Sequence, residues 1–265
     1  MLTANEIKLY ASLKQKKYRE EYGKYLIEGF HLIEECLYSS HELEYIIIRS
    51  DVNLQGHPEI LGKISKNKTI VEPLPEKSFN KLTDTESSQG IVGVVKHPKQ
   101  LKNQIEPDII LALDRINDPG NLGTIIRTAY WFNVPKILLS ENSADPYNPK
   151  VIRSTQGGIF HTQIVEDAPL TDELKKLKIK GYSVYLFTLD AEKTLSQIFQ
   201  FDESDKSDKS EKSAKSVLVF GSEAHGISQE LLDMDFERVK IEGFSGSESL
   251  NVAIAAGIAL FEFRK

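Results

Sequence analysis

Apolar runs alternate with helical patterns from Pro107 to the end of the chain, and this alternation limits the fold more than any other feature. The runs are continuously apolar, which is typical of strands buried on both faces of a sheet. Strands that are separated by helices predict parallel pairing. We expect strands at 108–113, 136–140, 183–189, 217–221 and 238–241, and helices at 122–132, 149–156, 171–178 and 250–263. The predicted fold class is therefore α/β with a parallel sheet.

A second, smaller α/β unit is predicted for the first hundred residues. Helical patterns occur at 4–14 and 30–38, and β-rich runs at 45–49, 69–71 and 90–95. A polar segment that contains Pro98 follows these elements and is typical of a linker. We therefore predict a first domain at 1–98, a linker at 99–106 and a second domain at 107–265.

One segment of the second domain is of low complexity. Residues 202–216 read DESDKSDKSEKSAKS, with five acidic residues, four lysines and five serines. Such a composition cannot bury apolar surface, so we expect a mobile surface loop.

Composition excludes several classes of protein. The 40% hydrophobic and 27% charged residues are typical of a globular protein. The longest apolar stretch, 250–263, is shorter than the roughly 20 residues that a membrane-spanning helix needs, and the N-terminus has no signal-peptide pattern. The single cysteine, Cys36, excludes an intramolecular disulfide and a cysteine-based metal site. We expect a cytoplasmic protein with no metal and no membrane partner.

The net charge of −6 argues weakly against a nucleic-acid partner, but residues 8–24 are locally basic. A basic stripe can contact phosphates even on an acidic protein. A solvated helix face explains the same pattern equally well. The stripe consists of Lys8, Lys14, Lys16, Lys17, Arg19 and Lys24.

The first of three glycine-containing loops follows the strand at 108–113 and reads NDPGNLG at 117–123. Its glycines and proline favour a tight turn at the N-terminus of a helix, where free N–H groups suit an anion. The loop matches neither the dinucleotide-binding nor the nucleoside-triphosphate fingerprint. Arg127, in the helix that follows, either binds a phosphate or forms a surface ion pair.

The other two loops also follow predicted strands. Gly221 ends one strand and permits close approach of a ligand, and Glu223 beyond it is either a ligand contact or a turn carboxylate. Ser249 and Asn251 stand at the entrance of an apolar helix, where they cap the helix or meet a ligand. The sequence GFSGS at 243–247 departs from the serine-hydrolase motif. Because ligands of such sheets bind outside the carboxyl ends of the strands, we expect one shared pocket.

Together these segments resemble the SpoU/TrmH family of RNA ribose 2′-O-methyltransferases, part of the SPOUT superfamily. The stretches NDPGNLGTIIRTA (117–129), LVFGSEAHGIS (218–228) and IEGFSGSESLNVAIAAGIAL (241–260) resemble the three motifs of the family, in order. In the first domain, KYREEYGKYLIEGFHLIEECL and SSQGIVGVV resemble the L30e-like substrate-binding domain of many members.

The resemblance implies methylation of a ribose 2′-hydroxyl in structured RNA, with S-adenosylmethionine as cofactor. Ribosomal RNA is favoured over transfer RNA because the first domain resembles that of members that act on ribosomal RNA. It also implies a SPOUT domain with a C-terminal trefoil knot, and a homodimer formed through that domain. Two alternatives stay open, a transfer-RNA 2′-O-methyltransferase and a non-catalytic RNA-binding assembly factor that keeps the fold.

Individual residues carry the resemblance further. Gly221, Ile241 and Leu250 match positions whose backbone holds the cofactor. The positions that match the active site are Asn121, Arg127, Glu223, Ser249 and Asn251. Because an arginine stays protonated, we expect Arg127 to bind a neighbouring phosphate and stabilise the developing alkoxide. Glu242 stands where many members have proline, which predicts a looser cofactor loop.

Overall fold

The computed structural model describes residues 2–67, 69–98, 106–199, 215–245 and 249–265. The chain divides into two compact units. Unit 1 contains the described residues of 1–102 and of 145–161, and unit 2 contains those of 103–144 and 162–265. The predicted linker (all but residue 106) and residues 202–214 of the predicted mobile loop lie outside the described residues, whereas Ser216 begins a strand.

Unit 1 is built on a four-stranded sheet in the order β1-β4-β2-β3, in which only β2 and β3 pair in parallel. Its core contains Tyr25, Ile47, Phe79 and Val92, which are fully buried. Numbered along the whole chain, its elements are α1 (Ala4–Ser12), α2 (Lys16–Tyr22), β1 (Lys24–Glu28), α3 (Phe30–Tyr38), β2 (Leu43–Arg49), α4 (Pro58–Asn67), β3 (Ile70–Leu74), α5 (Glu76–Phe79), β4 (Ile91–Lys96), α7 (Pro149–Thr155) and a 3₁₀ turn (Gly158–Phe160).

The segment 145–161 differs from the sequence-based boundary, which placed it in the second domain. Its Tyr147 ring lies 4.8 Å from the ring of Tyr25 and 4.2 Å from that of His97. Asp145 accepts a hydrogen bond from Arg19 Nε at 3.1 Å, and Arg19 is only 3% exposed. These partners lie far apart in sequence, so local patterns could not reveal the packing.

The same contacts change the interpretation of the basic stripe at 8–24. Arg19 is buried against Asp145, and Lys24 pairs with Glu44 at 2.5 Å. Lys16 pairs with Glu20 at 3.6 Å. Three of the six cations are therefore engaged in ion pairs within unit 1, which weakens the case for a continuous phosphate-binding stripe.

Unit 2 contains a six-stranded sheet in the order β10-β8-β9-β5-β6-β7, and every neighbouring pair is parallel. This confirms the predicted α/β class. The central strand β5 is buried along its whole length, as its continuous apolar run predicted. The elements are β5 (Ile109–Asp114), α6 (Pro119–Trp131), β6 (Lys136–Leu139), β7 (Gln163–Val165), α8 (Leu170–Ile179), β8 (Ser183–Phe187), α9 (Leu195–Phe199), β9 (Ser216–Gly221), α10 (Gln229–Leu232), β10 (Glu237–Val239) and α11 (Val252–Arg264).

The last helix, α11, packs on α6 and β9 through small residues. Ala253, Ala256 and Ala259 are buried. A Cβ on Gly257 would lie 3.7 Å from Thr128 Cγ2 of α6, so the two helices are in van der Waals contact there. No helix among the described residues is long and apolar enough to span a membrane.

Candidate active site

The first loop is fixed by the cap of α6. Asp118 is the N-cap residue, and its Oδ1 accepts a hydrogen bond from the backbone N–H of Asn121 at 2.8 Å. Pro119 occupies the first turn, where its missing N–H costs nothing. This cap fixes the backbone of Asn121 in the first turn of the helix.

The second loop closes on itself directly after β9. Ser222 N donates to Gly226 O at 3.1 Å, and Gly226 N donates back to Ser222 O at 2.8 Å. A Cβ on Gly221 would lie 2.1 Å from the backbone carbon of Gly226, so only glycine fits at the end of this strand. The closed turn carries Glu223 at its exposed tip.

The third loop ends at the N-cap of α11, which is Asn251. Its Oδ1 accepts hydrogen bonds from Ala253 N at 2.9 Å and from Ile254 N at 3.3 Å. The predicted helix at 250–263 began two residues too early, because the helix begins at Val252 and Asn251, not Ser249, is the N-cap. Sequence spacing alone did not separate two cap-forming residues that stand only two positions apart.

A chain of hydrogen bonds joins side chains from all three loops. Asn121 Nδ2 donates to Glu223 Oε1, and Asn251 Nδ2 donates to Asn121 Oδ1 at 2.9 Å. Both functions of Asn121's amide are thus satisfied, and Asn251 caps a helix while it also joins this chain. The structure therefore brings these three predicted residues together at the carboxyl edge of the sheet.

Arg127 projects from α6 one and a half turns beyond Asn121. It is exposed, and its guanidinium makes no hydrogen bond or ion pair with the described residues. The described part of the chain therefore does not show the surface ion pair that was the alternative for Arg127. A cation without a carboxylate partner is available for an anionic ligand.

The remaining predicted positions lie in the third loop. Ile241 is half-buried just after β10, whereas Ser249 and Leu250 are exposed just before Asn251, with Leu250 at 50% exposure. Their backbones line the segment that leads from the sheet into α11.

Glu242, next to Ile241, ties this loop to α9. Its Oε1 accepts a hydrogen bond from Ser196 N at 3.2 Å and another from Ser196 Oγ. Partial burial raises the pKa of the Glu242 carboxyl, but the hydrogen bonds from Ser196 and Thr194 outweigh that effect and lower the pKa overall. In place of the expected loosening, the structure shows a side-chain anchor at this position.

Sequence reasoning missed one buried carboxylate at the same edge. Asp114, at the end of β5, is 4% exposed, and its Oδ2 accepts a hydrogen bond from Ser228 N at 2.7 Å. It also pairs in register with Gly221 of β9. Asp114 thereby holds the end of the second loop against β5. An acidic residue at the end of an apolar strand was the available signal.

Acidic, histidine and cysteine side chains form no metal-binding cluster within the described ranges. The described side chains of the candidate site offer amide, carboxylate and guanidinium groups.

Comparison with known proteins identifies both parts of the chain. Residues 108–261 match the SpoU rRNA Methylase family, and residues 4–93 match the MRM3-like substrate binding domain. The first match contains all eight predicted site residues.

Relatives match over nearly the full length. A 23S rRNA (guanosine(2553)-2′-O)-methyltransferase of Bacillus subtilis is 31% identical over 261 residues, which cover 98% of this chain and 96% of the relative. An AdoMet-bound rRNA methyltransferase from Sinorhizobium meliloti aligns with a TM-score of 0.82 and 28% identity, covering 100% of this chain and 95% of that one. A Porphyromonas gingivalis protein assigned to the TrmH family of RNA methyltransferases aligns with a TM-score of 0.82 and 30% identity, covering 99% and 98%.

Proposed function

The chain belongs to the SpoU rRNA Methylase family and is an RNA ribose 2′-O-methyltransferase that uses S-adenosylmethionine, and we propose that its substrate is a nucleotide of ribosomal RNA. The observation that carries the site assignment is the chain of hydrogen bonds Glu223–Asn121–Asn251. It fixes three loops relative to one another at the edge of the sheet where ligands of α/β proteins bind.

For the cofactor, we propose contacts from the backbones of Gly221, Ile241 and Leu250. These residues fit a bound ligand because the second loop is closed tightly and the third is anchored by Glu242, so both present fixed backbone groups. Bound S-adenosylmethionine would supply a methyl group activated by its positively charged sulfur. Leu250, which is half exposed, offers apolar surface beside those groups.

The remaining polar residues would act on the RNA. In methyl transfer a bond would form between the ribose O2′ and the methyl carbon, the carbon–sulfur bond would break to leave S-adenosylhomocysteine, and the hydroxyl proton would pass to solvent water. Arg127, which has no partner among the described residues, would bind the phosphate next to the target and stabilise negative charge on O2′. Asn121 and Glu223 would shape the pocket, and Ser249 with Asn251 would orient the substrate and the loop.

Ribosomal RNA is proposed because the family matches of both domains favour it. The second domain matches a family of rRNA methylases, and the N-terminal residues match a substrate-binding domain. We propose that this domain has the L30e-like fold and holds the RNA. We also propose that the enzyme is cytoplasmic.

A homodimer through the C-terminal domain is supported by an uncovered apolar face on unit 2. Trp131 of α6 is 82% exposed, and Ile254 and Phe261 of α11 are 56% and 52% exposed. Large apolar side chains concentrated on two packed helices are typical of an interface. The return of α11 to pack on α6 and β9 is also consistent with the proposed trefoil knot.

The test is methyl transfer in vitro from labelled S-adenosylmethionine to ribosomal RNA from cells that lack the enzyme. We expect the wild type to label one ribose, and Asn121→Ala to lower kcat/KM at least about tenfold, because the substitution breaks both hydrogen bonds of the chain. Labelling of transfer RNA alone would move the substrate to that class. Binding of RNA without any methyl transfer would favour the assembly-factor alternative.

A further inference from the structure

Arg115 has an unusual backbone conformation at the carboxyl end of β5. Its φ is +57°, in the left-handed region that favours glycine and asparagine. A long side chain there is strained, and such strain persists only where the surroundings impose it, often at functional sites.

Arg115 contacts Ser140 through its backbone and Asp114 through its side chain. The backbone N–H of Arg115 donates to Ser140 Oγ, beyond the end of β6, at 2.8 Å. Its side-chain Nε lies 3.3 Å from Asp114 Oδ1, and the other oxygen of Asp114 accepts from Ser228 N of the second loop. Because Asp114 pairs in register with Gly221, Arg115 stands at the edge of the sheet beside the proposed cofactor loop.

The guanidinium of Arg115 has N–H donors that make no hydrogen bond with the described residues. Its Nε is buried and has no hydrogen-bond partner within the described chain, although it is close to a carboxylate. The side chain as a whole is 37% exposed. An arginine carries five N–H donors in a planar arrangement that matches two oxygens of a phosphate.

We propose that Arg115 binds a backbone phosphate of the substrate RNA close to the methylated nucleotide, as a second cation in addition to Arg127. The inference rests on the proposed function, since it assumes that RNA enters this edge of the sheet. Asp114 orients the guanidinium, and the strained backbone holds the base of the side chain at the site. On a protein with a net charge of −6, two cations placed there would help to localise the RNA.

The test uses Arg115→Gly, which removes the cation and also relieves the strain. We expect the thermal midpoint to stay the same or rise, because glycine accepts a positive φ. The Kd for a ribosomal RNA fragment should increase about tenfold, and the slope of log Kd against log salt should become shallower by about 0.7 to 0.9, the value of one phosphate contact. The Kd for S-adenosylmethionine should not change.

Asn142→Gly is the matched control. Asn142 has a φ of +64° in the turn after β6, so its replacement relieves a similar conformation without removing a charge. We expect RNA affinity and its salt dependence to stay at wild-type values. Arg115→Lys keeps the charge and should retain part of the RNA affinity that Arg115→Gly loses, whereas Arg115→Gln should not. If the glycine variant fails to fold, the comparison of the lysine and glutamine variants tests the proposal.

Wild-type RNA affinity in both Arg115→Gly and Arg115→Gln would overturn the proposal. So would weaker binding of S-adenosylmethionine with unchanged RNA binding, since Arg115 would then hold the carboxylate of the cofactor. Failure of the proposed function looks different, because the wild type itself would then transfer no methyl group to ribosomal RNA.

Discussion

Replacement of Gly221 by alanine tests whether the closed turn after β9 is required for both stability and cofactor binding. The added Cβ would lie 2.1 Å from Gly226 C, 2.2 Å from Ile227 N and 2.3 Å from Gly226 O. All three atoms belong to the backbone, so no side chain can rotate away. The turn must open by more than about 1 Å to reach ordinary contact distance.

Opening the turn breaks the two hydrogen bonds between Ser222 and Gly226, worth about 0.5–1.5 kcal/mol each. The overpacking adds about 1–3 kcal/mol. We expect Gly221→Ala to lower the free energy of unfolding by about 2–6 kcal/mol, the sum of these two contributions, and to weaken S-adenosylmethionine binding at least about tenfold. Urea denaturation and isothermal titration calorimetry measure the two effects.

Gly62→Ala serves as the control, because a Cβ there meets no atom within 4 Å and the residue lies inside α4. It should leave cofactor binding unchanged and raise stability slightly. Wild-type stability and cofactor affinity in Gly221→Ala would refute the reasoning, since the turn would then accommodate a methyl group without opening.

Two further predictions follow from the contacts of single side chains. Glu242→Ala removes the hydrogen bonds between the third loop and Ser196, so the Kd for S-adenosylmethionine should rise about threefold or more. Glu242→Gln keeps a hydrogen-bond acceptor and should raise the Kd less. Calorimetry that gives the wild-type Kd for both variants would contradict this role of Glu242. Burial lowers the pKa of His41 to about 4, with smaller contributions from His161 and His97, so the unfolded state binds more protons between pH 6.5 and 4. The free energy of unfolding should therefore be highest above pH 6.5 and fall by up to about 1.4 kcal/mol per pH unit as the pH drops towards 4. Urea unfolding of His41→Phe should show a weaker dependence on pH. The same pH dependence in this variant as in the wild type would contradict the role given to His41.

The sheet of unit 2 was predictable because its signal is local. Continuously apolar runs such as 109–113 and 217–220 stand between helical patterns, and burial on both faces leaves no other arrangement for them. The boundaries of α3 at Phe30 and Tyr38 also coincide with the predicted helix, because its apolar face repeats with helical spacing. Short elements such as β7 and α10 were missed, since three or four residues carry too little periodicity.

Three of the predicted site residues lie together in the structure, but the contacts between them could not be predicted from the sequence. Resemblance supplied Asn121, Glu223 and Asn251, yet the hydrogen bonds between them span more than 100 positions in sequence. The roles of Asp114 and Glu242 also depend on partners that are distant in sequence, namely Ser228 and Ser196. Tertiary contacts of this kind leave no local pattern.

The packing of residues 145–161 with unit 1 has the same origin. It depends on Arg19 and Asp145, which lie 126 positions apart. In sequence, Arg19 belongs to a basic run, and only the fold reveals that it is almost completely buried. Charge patterns predict exposure well on average, but a single buried ion pair can reverse the interpretation of a segment.

The most direct test of the central claim is a map of 2′-O-methylated riboses in total RNA from cells with and without this gene, and from cells complemented with wild type or Arg127→Ala. We expect one ribosomal site to disappear in the deletion and to return with the wild type only. Arg127 is exposed and has no described partner, so its loss should leave the fold intact while it lowers the rate about 10²–10³-fold. An identical map in all four strains would contradict the proposed activity.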